Sequence, residues 1–375
     1  MIGKNLQDNL DIKVNSKKME KLKDDFPEFF TKEGDFKLDS FKDFLKEEEV
    51  ELTKEAYELN FLGKSYAKYE SSLNTETYIS PDVEHNEKPE NKDSENVYIV
   101  GDNIDALKHL LGSYSGKIKC IYIDPPYNTG SDGFVYPDSF KFTAENLAEK
   151  IGITEEEAAR ILNLEGKSSH AAWLTFMYPR LLLARNLLSD DGVIFISIDD
   201  NEQANLKKVC DEIFGEINFV AQIIWERAFA HVNLKKHFSE CHDYIICYAK
   251  NIEITANNGL NRSKNADDRY KNPDNDIRGP WQSDNFSVGP AIESNIYEII
   301  AASGRICLPP NGRSWRVSEE KFKVMLKNNE VWFDPDGNGV PRQKRFLSNV
   351  KAGITPMTIW KYIDLEQFQV GQGKN

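Results

Sequence analysis

Residues 121–130 read IYIDPPYNTG: an aspartate, two prolines and a tyrosine directly after an apolar run. A proline nitrogen donates no hydrogen bond and its ring fixes φ, so Asp124-Pro125-Pro126 should form a stiff segment with its carbonyls free to accept. A carboxylate and a neighbouring carbonyl can together take both protons of an amine. Tyr127 adds a flat ring on which a base could stack, worth about 1–3 kcal/mol in single-strand binders. Asn128-Thr129-Gly130 supplies a turn that lets the chain leave. Such a cradle suits methylation of an exocyclic amine. The lone pair of adenine's amine is delocalised into the ring, and acceptors at its protons favour the pyramidal form that can attack a methyl sulfonium. A base held this way must first leave the duplex, at a cost of a few kcal/mol. The alternative is a prolyl turn that closes a strand above a packed core.

Other candidates are weaker. Gly101-Asp102-Asn103 follows a short apolar run, where Asp102 either meets a polar ligand or caps the helix that DALKHLL predicts. Asp199 and Asp200 end a second apolar run and read first as caps. His237, Cys241, His242 and Cys247 lie close in HFSECHDYIIC, but the spacing fits no zinc pattern and alternating strand residues face opposite sides. No metal is expected. Five cysteines without a C-x-x-C pair predict reduced thiols.

These residues need elements to position them. VYIV at 97–100 reads as a strand, GDNIDALKHLLGSY as a turn and helix, and KIKCIYI at 117–123 as the strand that stops at DPPY. A long apolar helix, SSHAAWLTFMYPRLLLARNLLSDDG, then leads to the strand GVIFISI, Asp199-Asp200 and another helix. The pattern predicts right-handed crossovers in a largely parallel sheet, with ligands bound outside the carboxyl ends of the strands. Residues 1–77 read as a helical N-terminal region, one helix ending near Gly63, and 78–96 as a polar linker. The catalytic core is expected over 97–220. From 221 to 375 the texture is irregular, rich in Asn, Gly, Pro and Trp, with strand-like VAQIIWER, HDYIICYAK and EVWFDP. Trp281 and Trp315 are expected in a core.

The 375 residues carry a formal charge of -14, which argues against general adhesion to nucleic acid and makes any DNA contact local. Lys235-Lys236, residues 262–271 and PRQKRF at 341–346 are the basic stretches that could meet phosphate. No apolar run approaches the roughly 20 residues of a membrane span, and the charged N-terminus lacks a signal-peptide core, so a cytoplasmic location is expected.

IDPPYNTG resembles the catalytic motif of amino-methyltransferases acting on DNA, with Asp first as in the adenine-N6 enzymes; the cytosine-N4 group usually has Ser there. In order, GDNIDALKHLL, WLTFMYPRLLLARNLLSDDGVIFISIDDNE, FSECHDYIICYAK, RYKNPDNDIRGPW and VPRQKRFLSNVKAGITPMTIW resemble the modification subunit of type III restriction-modification systems, as do FPEFF and ELNFLGKSYAKYE near the start. The resemblance implies an α/β fold: a Rossmann-like methyltransferase sheet with a helical N-terminal region and an irregular target-recognition domain. It implies S-adenosyl-L-methionine as cofactor, double-stranded DNA as substrate, a homodimer, and a restriction (Res) subunit as partner. Asp124, Pro125, Pro126 and Tyr127 would then bind and activate a flipped adenine. Gly101, Asp102 and Asn103 would lie on the cofactor side, and Asn128, Arg269 and Arg278 would contact DNA.

The family also places a strand followed by F-x-G-x-G-type glycines after its recognition domain. That run is not found before the chain ends at WKYIDLEQFQVGQGKN, where Gly371-Gln372-Gly373 has no apolar strand before it and no helix after. The sheet is therefore expected to be incomplete at its C-terminal end. Three readings follow: a shortened, catalytically impaired adenine methyltransferase; a non-catalytic DNA- or subunit-binding fragment; or a different nucleotide-utilising enzyme with a similar fold. A cytosine-N4 DNA methyltransferase is the alternative for the base.

Overall fold

A computed structural model describes residues 12–48, 58–130, 133–136, 142–227, 236–261, 267–350 and 353–361, together with Asn5, Asp8, Asn9 and Val50. Gly371-Gln372-Gly373 and Lys235 lie outside the described residues. The chain divides into two compact units, one of residues 1–256 with 357–375, the other of residues 257–356.

In the first unit, α1 (Ser16–Asp25) and α2 (Leu38–Glu47) precede α3 (Lys64–Ser72). The helix expected to end near Gly63 does not. Gly63 instead opens α3 as its N-cap at φ 97°, a left-handed conformation that favours glycine. A Cβ at this position would stand 2.2 Å from Thr175 Oγ1, so glycine is also needed for the close approach. Next come α4 (Asn103–Tyr114) and the strand β1 (Ile118–Ile123). Val97, Tyr98 and Val100, expected as a strand, form none and are exposed at 73%, 91% and 85%. β1 is the outermost strand of its sheet, so the apolar run is not drawn into a ladder there.

α5 (Ala144–Ile151) and α6 (Glu155–Leu162) are each entered through a threonine, Thr143 and Thr154, whose hydroxyl accepts a backbone N–H of the first turn. The long helix α7 (His170–Leu187) leads directly into β2 (Leu188–Ile198), which pairs in parallel with β1. α7 is the central pillar of the unit: Trp173, Leu174, Met177, Tyr178, Leu181 and Ala184 are all buried on it. α8 (Gln203–Phe214) packs beside it with Leu206, Val209 and Phe214. β3 (Phe219–Glu226) and β4 (His242–Ala249) follow.

The sheet order is β1-β2-β4-β3 and then a short strand, Ile359–Trp360. β4 runs antiparallel to both neighbours, whereas β1 with β2 and β3 with Ile359–Trp360 are parallel. The α/β class stands, but the sheet is mixed rather than largely parallel. VAQIIWER and HDYIICYAK, expected with the recognition region, hydrogen-bond into this main sheet. Each carries a single apolar run that a partner strand can cover on either side.

The second unit holds β5 (Trp281–Asn285), helix α9 (Glu319–Lys327), β6 (Val331–Trp332) and β7 (Arg342–Phe346). β7 lies between β6 and β5, antiparallel to both. Its core gathers Phe286, Ile299, Trp315, Phe322, Met325 and Phe333. Trp281 and Trp315 are buried as expected. Among the described residues no helix is long and apolar enough to cross a membrane.

Candidate active site

β1 delivers Asp124 to the carboxyl end of the sheet, and the prolines stop the ladder there because they bring no N–H to it. Asp124 is exposed, while Pro125, Pro126 and Tyr127 are partly buried. The Tyr127 phenol is held well above its usual range, first by burial and then by its hydrogen bond to Asp124. The phenol therefore stays neutral beside the Asp124 carboxylate. The two prolyl carbonyls are not both free: Pro126 O accepts from the fully buried indole Nε1 of Trp173 at 2.6 Å. A carbonyl has a second lone pair, so this bond anchors the turn without exhausting it.

Asn128 adopts φ 58° and is gripped from both ends. Its Nδ2 donates to Glu202 Oε1 at 2.6 Å, and its Oδ1 accepts from Ser168 Oγ at 2.8 Å. Glu202 is itself fully buried and also meets His170 Nδ1 at 2.7 Å and Asn205 Nδ2 at 2.8 Å. The asparagine expected to touch DNA thus has its amide occupied inside the fold, where it tightens the turn after DPPY.

In front of the motif lies a cavity of about 370 Å³ lined by Tyr122, Asp124, Tyr127, Ser197, Trp225, Asp243, Tyr244, Ile245 and Trp360. Trp225 and Trp360 are register partners on adjacent strands. Tyr122 and Ser197 share a 2.8 Å hydroxyl hydrogen bond, and Tyr244 OH donates to Asp200 Oδ1 at 2.8 Å. Asp199 accepts from the backbone N–H and the amide of Asn201. Both aspartates therefore brace the loop after β2 rather than cap α8, whose N-cap is Glu202. Trp225, Asp243, Tyr244 and Trp360 were not singled out from the sequence. HDYIICYAK was read as strand-like and for its likeness to a family segment, and nothing local in it announces a pocket wall.

Gly101-Asp102-Asn103 enters α4. Asp102 is the helix N-cap, its Oδ1 accepting from Ile104 N at 2.8 Å and Asp105 N at 3.3 Å. Arg180 of α7 reaches both neighbours: Nη2 stands 3.8 Å from Asp102 Oδ2, and Nε donates to Asn103 Oδ1 at 2.5 Å. Asp102 keeps 48% of its side chain exposed.

In the second unit, Arg278 grips the buried Asp276 with two bonds, Nε to Oδ1 at 2.8 Å and Nη2 to Oδ2 at 2.6 Å, and lies over the Phe346 ring at 4.0 Å. Lys344, expected among the phosphate contacts, is fully buried between Asp274 and Asp276. Arg345 pairs with Asp284 at 2.7 Å. The charge of RYKNPDNDIRGPW is in large part spent within its own unit. Arg269 is exposed. Among the described residues no group of His, Cys, Asp or Glu side chains is placed to hold a metal, and all five cysteines are unpaired.

A family model described as DNA methylase matches residues 118–299, which include β1, DPPY, the four main strands and the first part of the second unit. The Mod subunit of the type III restriction-modification enzyme StyLTI from Salmonella typhimurium is 38% identical over 375 residues, covering 95% of this chain and 56% of that protein. The EcoP15I Mod subunit of Escherichia coli is 51% identical over 242 residues, covering 64% of this chain and 37% of that one. Residues 118–299 thus match the DNA methylase family, and the chain is similar over most of its length to a type III Mod subunit. It spans about half the length or less of these relatives. Among solved structures, the M1.HpyAVI-SAM complex aligns over 44% of this chain and 58% of its own at 14% identity, with a TM-score of 0.25, too slight a likeness to bear on the fold.

Proposed function

We propose that this chain carries the amine-binding site of an adenine-N6 DNA methyltransferase, the modification subunit of a type III restriction-modification system. The observation that supports it most is Asp124 at the end of β1, beside the Tyr127 phenol at the mouth of an aromatic-walled cavity of about 370 Å³, ample for a base. In this reading a flipped adenine enters between Tyr127 and the tryptophans. Asp124 accepts one amine proton and a prolyl carbonyl of Pro125 or Pro126 the other. Trp173 keeps the turn rigid, so little reorganisation is left for the moment of attack.

S-adenosyl-L-methionine, when bound, supplies the electrophilic methyl group. Of Gly101, Asp102 and Asn103, the half-exposed Asp102 carboxylate has capacity left for an ammonium, whereas the Asn103 carbonyl oxygen is engaged by Arg180. Gly101 leaves open space where a Cβ would be. These groups fit one end of the cofactor. Duplex DNA is the substrate in this reading, with Arg269 the more accessible of the two arginines for phosphate. Arg278 acts there by shaping the loop. A homodimer and a Res subunit are the proposed partners.

Methyl transfer from labelled S-adenosylmethionine to unmethylated duplex DNA of mixed sequence tests the proposal, with the product nucleosides resolved by mass. N6-methyladenine that vanishes in Asp124→Ala is the expected result. N4-methylcytosine would replace adenine with cytosine, and transfer undiminished in Asp124→Ala would overturn the assignment of the site.

A further inference from the structure

Asp243 is a second carboxyl in the same cavity, and the function above makes no use of it. It stands near the start of β4, in register with Trp225 of β3, at the same end of the sheet where β1 gives way to Asp124. Its side chain is 14% exposed. Its Oδ1 is buried and accepts no hydrogen bond, and Arg227 Nη1 stands 3.6 Å from it, an ion-pair distance with no hydrogen bond made. Burial lifts its pKa above the usual carboxylate range. Arg227 and the adjacent His242 pull it down, while Asp199 from the loop after β2 and Asp124 from the end of β1 push it up. A carboxyl lifted in this way keeps its proton more readily than a free one.

We propose that Asp243 reads the ring edge beside the amine, its carboxyl donating a hydrogen bond to the adjacent ring nitrogen while Asp124 accepts from the amine itself. The inference rests on the proposed function and deepens it. The pair of groups, one donor and one acceptor, matches the amino-imine edge of adenine. It rejects the guanine edge, where the corresponding ring nitrogen carries a hydrogen and the neighbouring exocyclic group is a carbonyl. Two like-facing donors or acceptors would meet there, and a buried polar group left unpaired is what gives a site its discrimination. An ionised Asp243 would face the adenine lone pair with another, so binding should weaken as the proton leaves. Asp243 acts on recognition and positioning and takes no part in bond making.

The test titrates the whole chain with 9-methyladenine and 9-methylguanine by saturation-transfer NMR from about pH 4 to pH 8, upward from the ordinary carboxylate value. In the wild type, 9-methyladenine binds and 9-methylguanine does not, and adenine affinity falls as pH rises. Asp243→Ala weakens adenine binding by about tenfold, the loss of one hydrogen bond to a group left buried. Asp243→Asn, whose amide donates at every pH, retains binding and flattens the pH dependence. A folded Asp243→Asn that loses binding, or that keeps the wild-type pH profile, overturns the inference. Wild-type affinity in Asp243→Ala with binding lost in Asp124→Ala would sink the role of Asp243 and leave the proposed function standing. Failure of 9-methyladenine to bind the wild type would sink both.

Discussion

Trp173 shows how one residue converts a stiff sequence into a fixed site. Its ring is fully buried on α7, and its N–H reaches back 47 positions in sequence to the Pro126 carbonyl. Trp173→Phe keeps most of the apolar volume but leaves that carbonyl without its protein donor. We expect a loss of about 1–3 kcal/mol in urea unfolding, the desolvation cost of an orphaned acceptor. Methyl transfer should fall by more than stability alone explains, because the turn that aims Asp124 loosens. The stiffness of Asp124-Pro125-Pro126-Tyr127 and its place at a strand end were legible in the sequence because they are local: proline's missing donor and fixed φ need no tertiary context. Asp243, Trp225 and Trp360 were not. They reach the cavity only through pairing of strands scattered over more than a hundred residues, and no spacing rule reports that. The partners of Asn128 were hidden for another reason. An exposed-looking turn asparagine gives no sign that a buried glutamate will take its amide.

At the level of elements, strong periodicity was the dependable signal. α7, β2 and α8 fall where an unbroken apolar helix, a β-branched run and a second amphipathic stretch place them. The apolar VYIV did not become a strand, because a strand is defined by its neighbour and not by its own composition. Gly63 was read as the end of a helix, yet it starts one. Glycine marks a positive φ at either end, and only the contact with Thr175 shows why it is needed here. Gly63→Ala carries two costs, about 1–2 kcal/mol for a left-handed alanine and about 1–3 kcal/mol for the steric conflict. The melting temperature should drop accordingly. In Gly63→Ala/Thr175→Ala the conflict is relieved while the backbone cost remains, so the double variant should recover part of the loss, corrected for the hydroxyl bond from Thr175 to Leu62 O. Full additivity of the two single losses would show that the contact does not matter.

For the molecule as a whole, the net charge of -14 suggested that any DNA contact is local, and the second unit shows where much of its basic charge goes. Lys344 and Arg278 neutralise Asp274 and Asp276 inside the unit, and Trp281 Nε1 donates to Asp274 at 2.8 Å. Arg278, through its hydrogen bonds, holds Asp276 far below the ordinary carboxylate range. At Asp274 burial works the other way, but the bonds from Lys344 and Trp281 prevail and its pKa is lowered too. A carboxylate depressed on folding adds stability that is complete above its unfolded value, about 3.9. That stability drains away as pH falls from there through the folded value. The urea midpoint of the unit, followed by tryptophan fluorescence, should therefore hold level at neutral pH and decline below about pH 4. Lys344→Met removes a buried cation from between two carboxylates, and roughly 3–5 kcal/mol should be lost at neutral pH. Both carboxyls then titrate at higher pH, so the acid limb moves upward and covers a smaller drop. An unchanged neutral midpoint would mean that the buried cluster is replaceable by apolar packing, and that Lys344 could be released toward phosphate at little cost to the fold.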